Sequence, residues 1–391
     1  MKKYILVLTL FIQAFILTEA QPIPRVTPEL AGMDAHRLAY ADSAILRSIA
    51  AGETPGAVLA IVRFGKLVYL KAYGNKQVHP VSIPMTENTV FDMASVSKAM
   101  STAISIMILV ERGLLQLSDN VTRYIPGFQP WIDSITGQKT GIKVIHLLTH
   151  TSGLPPHPSN VELQKLRATP TRENMIDYMA NTQRLWSPGT QYIYSCQNFI
   201  TLGYIVELIS GKSLQAFARE NIFEPLGMTH TDYNPAGEML ERAAPTDLTG
   251  IVNDYRTRLM GGVLGNAGVF SNAEDLAILS AMLLNNGELN GKRILSPITV
   301  KTMCSIPEGY EKFGRTLGWN ISSDSPSHRG DFFSLSMYGH TGHTGTSLAI
   351  DPETQTAIIL LTNRVYLKTG DVTRLRNLVA NVIAGAIVNL N

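Results

Sequence analysis

Two cysteines, Cys196 and Cys304, are all that 391 residues contain. That excludes a disulfide framework, and nothing in the sequence brings these two together. Charged residues make up only 16%, and the net charge is +2. Composition therefore gives no electrostatic case for a nucleic-acid or membrane-surface partner. After the first twenty residues no run is long and apolar enough to cross a bilayer. Pro-rich linkers, low-complexity tracts and internal repeats are missing, so the pieces belong to one folding unit. A Gly-x-Ser-x-Gly elbow is absent too. His146 and His150 stand four apart, which is ligand spacing, but no Glu follows His146, so the zinc-protease pattern fails. Gly211-Lys212-Ser213 imitates the end of a phosphate loop, yet Val206 stands where its first glycine should be. No metal and no cofactor are expected.

What is present fits an ordinary globular protein, with 45% hydrophobic residues. Lys2 and Lys3 precede an apolar run from Tyr4 to Leu17, broken only by Thr9 and Gln13. Thr18-Glu19-Ala20 ends in a small residue suited to cleavage. Residues 1–20 are predicted to be a secretory signal, which implies a secreted or periplasmic protein. The run is short for an uncleaved anchor, and no cysteine follows it to carry a lipid.

Strand patterns lie at both ends of the chain. Gly56–Val62 and Leu67–Gly74 flank Arg63-Phe64-Gly65-Lys66 and predict a β-hairpin. Gly345–Asp351 and Thr356–Thr362 are rich in β-branched residues and flank a turn at Pro352-Glu353-Thr354. Helical patterns cover Asp34–Ala51, Ile142–His150, Arg172–Asn181, Asn198–Ser210, Ser213–Ile222, Asn272–Asn285 and Val372–Val388. The predicted fold is α+β. One antiparallel sheet, built from the N- and C-terminal segments and flanked by helices, carries a large, mostly helical inserted lobe. The sheet lobe is expected over about 34–90 and 310–391, and the helical lobe over about 91–309.

Chemistry concentrates at Ser95-Val96-Ser97-Lys98. The run that follows, Ala99 to Val110, is apolar on nearly every side, so the pair opens a buried helix. Three residues apart on one helical face, a hydroxyl and an ammonium suit a serine hydrolase that lacks a Ser-His-Asp triad. Desolvation is expected to ease deprotonation of Lys98. Tyr194 lies on the loop Trp186–Asn198 and is a candidate second base or relay, with aromatic packing as its plainer role. Gly339-His340-Thr341-Gly342-His343 opens a strand. Alternation puts His340 and Gly342 on one face and His343 on the other, so only one histidine should face a common site. A free N–H on that edge would suit an oxyanion.

With these segments in view, the chain resembles the serine β-lactamase-like hydrolases: class C β-lactamases, penicillin-binding DD-peptidases and family VIII esterases. The marks are Met93–Lys98, Leu147–Pro155, Tyr194 with its loop, Pro225-Leu226-Gly227-Met228, Gly265–Ser271 and His340-Thr341-Gly342. The resemblance implies an acylated Ser95, Lys98 as its partner and base, and Tyr194 as proton relay. It implies an oxyanion hole from the backbone N–H groups of Ser95 and His343, with His340, Thr341 and Gly342 as the substrate strand. Two departures stand out. Cys196 replaces the usual carboxamide, and a thiol is a poor substitute for it; Asn198 is the nearest candidate to reach in instead. His340 replaces lysine, and a partly charged imidazole would make carboxylate binding weaker or pH-dependent. The expectation is an exported serine hydrolase, acting alone on a D-amino-acid-containing cell-wall peptide or a small ester. A class C-like β-lactamase is the alternative, and a non-catalytic penicillin-binding sensor the second.

Overall fold

A computed structural model describes residues 23–157, 160–321, 328–368 and 370–390. The expected signal segment, residues 1–20, lies outside them. Six strands form one antiparallel sheet: β1 (Gly56–Arg63), β2 (Lys66–Gln77), β3 (Ile83–Pro84), β4 (Tyr338–Thr341), β5 (Ser347–Asp351) and β6 (Thr356–Thr362), in the order β4-β5-β6-β1-β2-β3. The expected α+β architecture is borne out. The ends of the chain meet at the sheet centre, where β1 pairs with β6 from Ala57–Thr362 to Arg63–Thr356. The β1–β2 turn is tight because both Phe64 (φ 50°) and Gly65 (φ 70°) adopt left-handed backbone, which matches the twist of a two-residue hairpin.

Strand β1 is buried along its whole length, so its side chains serve two cores. Ala57, Leu59 and Ile61 pack with α1 (Ala35–Ala50) and the last helix, whereas Val58, Ala60 and Val62 pack with the helical lobe. Fully burying each large aliphatic residue contributes about 1.5–3 kcal/mol, so this two-sided strand anchors both layers. Five further helices matter for the site: α2 (Ile104–Glu111), α3 (Val144–Leu148), α4 (Cys196–Ser210), α5 (Ala273–Leu284) and α6 (Thr373–Ala386). Their caps follow the sequence. Asp34 accepts from the backbone N–H groups of His36 and Arg37, and Asn272 accepts from that of Asp275. Gly211 closes α4 in the left-handed conformation.

Several boundaries differ from expectation. Helix α4 begins at Cys196, two residues early, because Ser195 in extended conformation serves as its N-cap. The turn Lys98–Ala103 is π-helical before regular α2 begins. Its hydroxyls are diverted to tertiary partners: Ser101 meets the Tyr233 hydroxyl at 2.9 Å, and Thr102 donates to Gly265 O at 2.8 Å. Strand β4 ends at Thr341, and β5 starts only at Ser347. Both cysteines are buried and free.

Candidate active site

Ser95 is carried into a cleft by a strained turn. The short strand Phe91–Asp92 pairs with Val269–Ser271, and Met93 N donates to Val269 O at 2.9 Å. The chain then bends through Ala94 at φ 45°, a left-handed conformation that costs a non-glycine residue about 1–2 kcal/mol. Buried Asp92 holds the bend by accepting from Ala94 N (2.8 Å) and Asn253 N (2.6 Å). Burial pushes its carboxyl pKa up to about 6 despite those two bonds. Thr344 and Thr346 donate to the carbonyls of Asp92 and Met93. Gly342 is required by close approach, since a Cβ there would stand 2.7 Å from Met93 O. The result is a buried helix start whose one partly exposed side chain, between Phe91 and Met100, is Ser95.

Lys98 is fully buried. Its Nζ donates to Ser95 Oγ and to Asn266 O, each at 2.9 Å, and lies 5.1 Å from the centroid of the Tyr194 ring. The three side chains expected to converge are therefore brought together. One expectation is reversed. Burial does oppose the charge on Lys98, but the neighbouring Cys196 and Tyr194 outweigh it and hold the pKa above the ordinary amine value. Lys98 is thereby held toward the ammonium form, and it must lose a proton before it can act as a base.

Tyr194 is clamped by His150, itself at φ 58°. His150 O accepts from Ile193 N (3.1 Å), and its ring Nδ1 accepts from Ser195 N (3.1 Å). The ring packs 4.5 Å from that of Tyr194. Burial, then the charges of Arg315 and Lys98, push the His150 pKa well down, so the imidazole stays neutral. His146 accepts from Lys143 N through its Nδ1. Among the described residues no group of three or more His, Cys, Asp or Glu side chains is placed to hold a metal ion.

The cleft encloses about 680 Å³, and its lining includes Ser95, Tyr192, Tyr194, Arg315, the segment His340–His343, Arg364 and Arg376. His340 is 4% exposed, and its Nδ1 lies 2.9 Å from Thr341 O. Burial, then Lys98 and Arg315, hold its pKa well below the usual histidine value. The expectation of a partly charged, pH-gating His340 is thus corrected: a buried imidazole beside two cations stays neutral. His343 does not turn away as strand alternation predicts, because the chain leaves the strand after Thr341, and both histidines line one cleft. Among the described residues neither Ser95 N–H nor His343 N–H has a hydrogen-bond partner, as an oxyanion hole requires.

One expected residue goes elsewhere. Asn198 is fully buried; its Oδ1 accepts from Ser152 Oγ (2.5 Å), and its Nδ2 lies 3.2 Å from His150 Nδ1. It braces the tyrosine clamp and is not brought to the cleft. Cys196 is 7% exposed and has Lys98 and Arg256 as charged neighbours. The cation that sequence reasoning missed is Arg315. Its guanidinium lies 4.9 Å and 5.8 Å from the ring centroids of Tyr192 and Tyr194, and among the described residues no carboxylate pairs with it. No local pattern around Arg315 marks it, since only the bridge between Arg315 and Asn320, itself paired to Gly339, folds it over the cleft.

Known proteins resemble this chain in sequence and in fold. The family model described as Beta-lactamase matches residues 41–381. A protein of Escherichia coli O157:H7 with the provisional name D-alanyl-D-alanine carboxypeptidase is 32% identical over 379 residues, 88% of this chain and 86% of that one. A Salmonella typhimurium LT2 protein of the same provisional name is 30% identical, covering 92% and 90%. Among solved structures, EstCE1, a hydrolase with promiscuous acyltransferase activity, superposes with a TM-score of 0.73 at 22% identity, over 90% of this chain and 99% of that one. The octameric penicillin-binding protein homologue from Pyrococcus abyssi gives 0.65 at 25% identity, over 83% and 73%. By the extent of these matches, the chain belongs to the β-lactamase family of serine hydrolases.

Proposed function

We propose that the chain is an exported serine acyl hydrolase of DD-carboxypeptidase type, working through an acyl-enzyme on Ser95. The observation that carries this reading is the 2.9 Å contact of Lys98 with a partly exposed Ser95 beneath the Tyr194 ring. Ser95 Oγ attacks the scissile carbonyl, and its proton passes to the Lys98–Tyr194 pair once that pair has lost one proton. The carbonyl oxygen becomes an oxyanion between the N–H groups of Ser95 and His343. Tyr194 returns the proton to the leaving nitrogen, and the C–N bond breaks. Water then adds to the acyl carbonyl as the same pair takes its proton, the bond from the acyl carbon to Ser95 Oγ breaks as the pair returns that proton to Oγ, and the new carboxylic acid leaves.

Substrate choice rests on Arg315. A guanidinium with no carboxylate partner among the described residues lies beside Tyr194, where a leaving group would carry its carboxylate, and Arg binds carboxylates in a two-pronged fashion. This favours a peptide ending in a D-amino acid over a neutral ester, and the provisional names of the relatives point the same way. The basic start and apolar run of residues 1–20 support export, and residues 21–391 then act as one catalytic unit. In the test, the purified protein is given an acylated D-alanyl-D-alanine and a short nitrophenyl ester. D-Alanine release that vanishes in Ser95→Ala supports the proposal. Turnover of the ester with no D-alanine release refutes the carboxypeptidase assignment, and equal rates in Ser95→Ala refute the acyl-enzyme.

A further inference from the structure

Asp92 does more than hold the bend before Ser95. The residue is 2% exposed, and each of its side-chain oxygens takes one backbone N–H from a different part of the chain. Oδ1 accepts from Ala94 N at 2.8 Å, inside the strained turn whose next N–H, that of Ser95, has no partner among the described residues. Oδ2 accepts from Asn253 N at 2.6 Å. That second tie leads to the base. Asp254 accepts from Thr257 N and Thr257 Oγ1, each at 2.9 Å, and so caps the short helix Tyr255–Leu259. Thr257 Oγ1 lies 3.4 Å from Asn266 Oδ1, and Asn266 O accepts from Lys98 Nζ at 2.9 Å. The helical turn fixes the backbone of Lys98 against that of Ser95, but a flexible four-carbon stem leaves the ammonium unplaced until Asn266 holds it.

Both ties need the charge. A carboxylate accepts on both oxygens, whereas a carboxylic acid turns one of them into a donor that faces an N–H, and one tie is lost. Burial is the largest influence on this proton and raises the pKa of Asp92 to about 6 against the two N–H bonds; Asp254 adds to the rise, and Arg258 opposes it. From the other elements packed against it, Thr344 donates to its backbone carbonyl at 2.7 Å and Phe270 is its strand partner, and neither carries charge.

We propose that Asp92, as a carboxylate, is a positioning residue for acyl transfer: one oxygen holds the turn that carries Ser95, the other holds the segment that seats Lys98, and losing the charge lets the two drift apart within a folded protein. This rests on the acyl-enzyme reading of Ser95 and Lys98 given above and is indifferent to the leaving group. Acid then acts on activity and on stability with opposite signs. A carboxyl whose pKa rises from 3.8 to about 6 on folding binds its proton more tightly in the folded state. Its contribution to stability is complete below about pH 4 and is lost as pH rises through about 6, while the working geometry is gained over the same range.

The test follows kcat and KM for nitrophenyl acetate from about pH 4.5 to about pH 8.5, with the folded fraction read by circular dichroism at each pH. Below about pH 6 the parent's kcat should fall more steeply than above it, by up to roughly a further tenfold per pH unit, with KM nearly unchanged and the protein folded. Asp92→Asn keeps one acceptor oxygen but sets an amide N–H against the other backbone N–H. It should lower kcat at about pH 8 by roughly 100-fold, the scale of an ångström's misplacement, and lack the extra fall. Asp92→Ser, whose hydroxyl can still accept from Ala94 N, should show the same two changes. Either variant, folded, with parent-like kcat at that pH or with the extra fall intact overturns the proposal. So does a parent whose slope is unchanged through about pH 6, or whose extra fall tracks loss of folded protein. Ester turnover that persists undiminished in Ser95→Ala removes the acyl-enzyme reading itself; turnover that needs Ser95 but ignores Asp92 removes only the positioning role.

Discussion

Replacing Arg315 with glutamine removes a cation that no carboxylate among the described residues pairs with, while keeping a polar side chain of similar reach. If Arg315 takes the terminal carboxylate of the substrate, the variant loses a charge-assisted, two-pronged contact worth about 1.5–3 kcal/mol. That corresponds to a roughly 10- to 150-fold drop in kcat/KM for an acylated D-alanyl-D-alanine, most of it in KM. The guanidinium also lies against the rings of Tyr192 and Tyr194, so a second effect needs separating. A nitrophenyl acetate control does this, because it has no carboxylate and still needs Tyr194. Its loss should stay below about threefold, the scale of an exposed cation–π contact. The pH profile adds an independent arm. His340 is held neutral in the folded protein, so KM for the carboxylate substrate should show no histidine titration around neutral pH, with or without His340→Ala. Equal losses for peptide and ester in Arg315→Gln would refute the anchoring role. A KM that climbs as histidine titrates would refute the neutral His340.

Three further outcomes follow from the geometry. His150→Ala should lower kcat about 100-fold with little change in KM, since the Tyr194 loop loses its clamp; a parent-like kcat would show that Tyr194 is held by other means. Cys196→Asn should raise labelling by a fluorescent penicillin several-fold, and unchanged labelling would place position 196 away from the substrate amide. Asp275 in α5 is buried, and desolvation raises its pKa from 3.8 to about 7 against the bonds from Thr231 and His230. The folded state binds the extra proton, so this contribution is complete below about pH 4 and is lost as pH rises to about 7, at most about 4 kcal/mol. Denaturant unfolding of Asp275→Asn should show a flatter dependence across that window, and an unchanged slope would exclude Asp275 as its source.

The sequence by itself determined the local pieces. The hairpin at Phe64-Gly65, the strand Thr356–Thr362, the caps at Asp34 and Asn272, and the pairing of Ser95 with Lys98 across one helical turn are all short-range consequences of backbone preference and side-chain period. The meeting of both chain ends in one sheet was legible too, because a two-sided apolar strand such as β1 needs partners on both faces. The tertiary structure alone decided the electrostatics. Sequence alone predicts an easily deprotonated Lys98 and a partly charged His340, and the structure reverses both for one reason: a pKa depends on which charges lie within a few ångströms, and Cys196, Tyr194 and Arg315 are distant in sequence. Likewise, His343 joins the cleft because the chain turns after Thr341, Asn198 is drawn off by Ser152 and His150, and Arg315 reaches the cleft only through the pairing of Asn320 with Gly339. Periodicity fixes which way a side chain leaves its own element; it carries no information about what another element, folded against it, places at the other end.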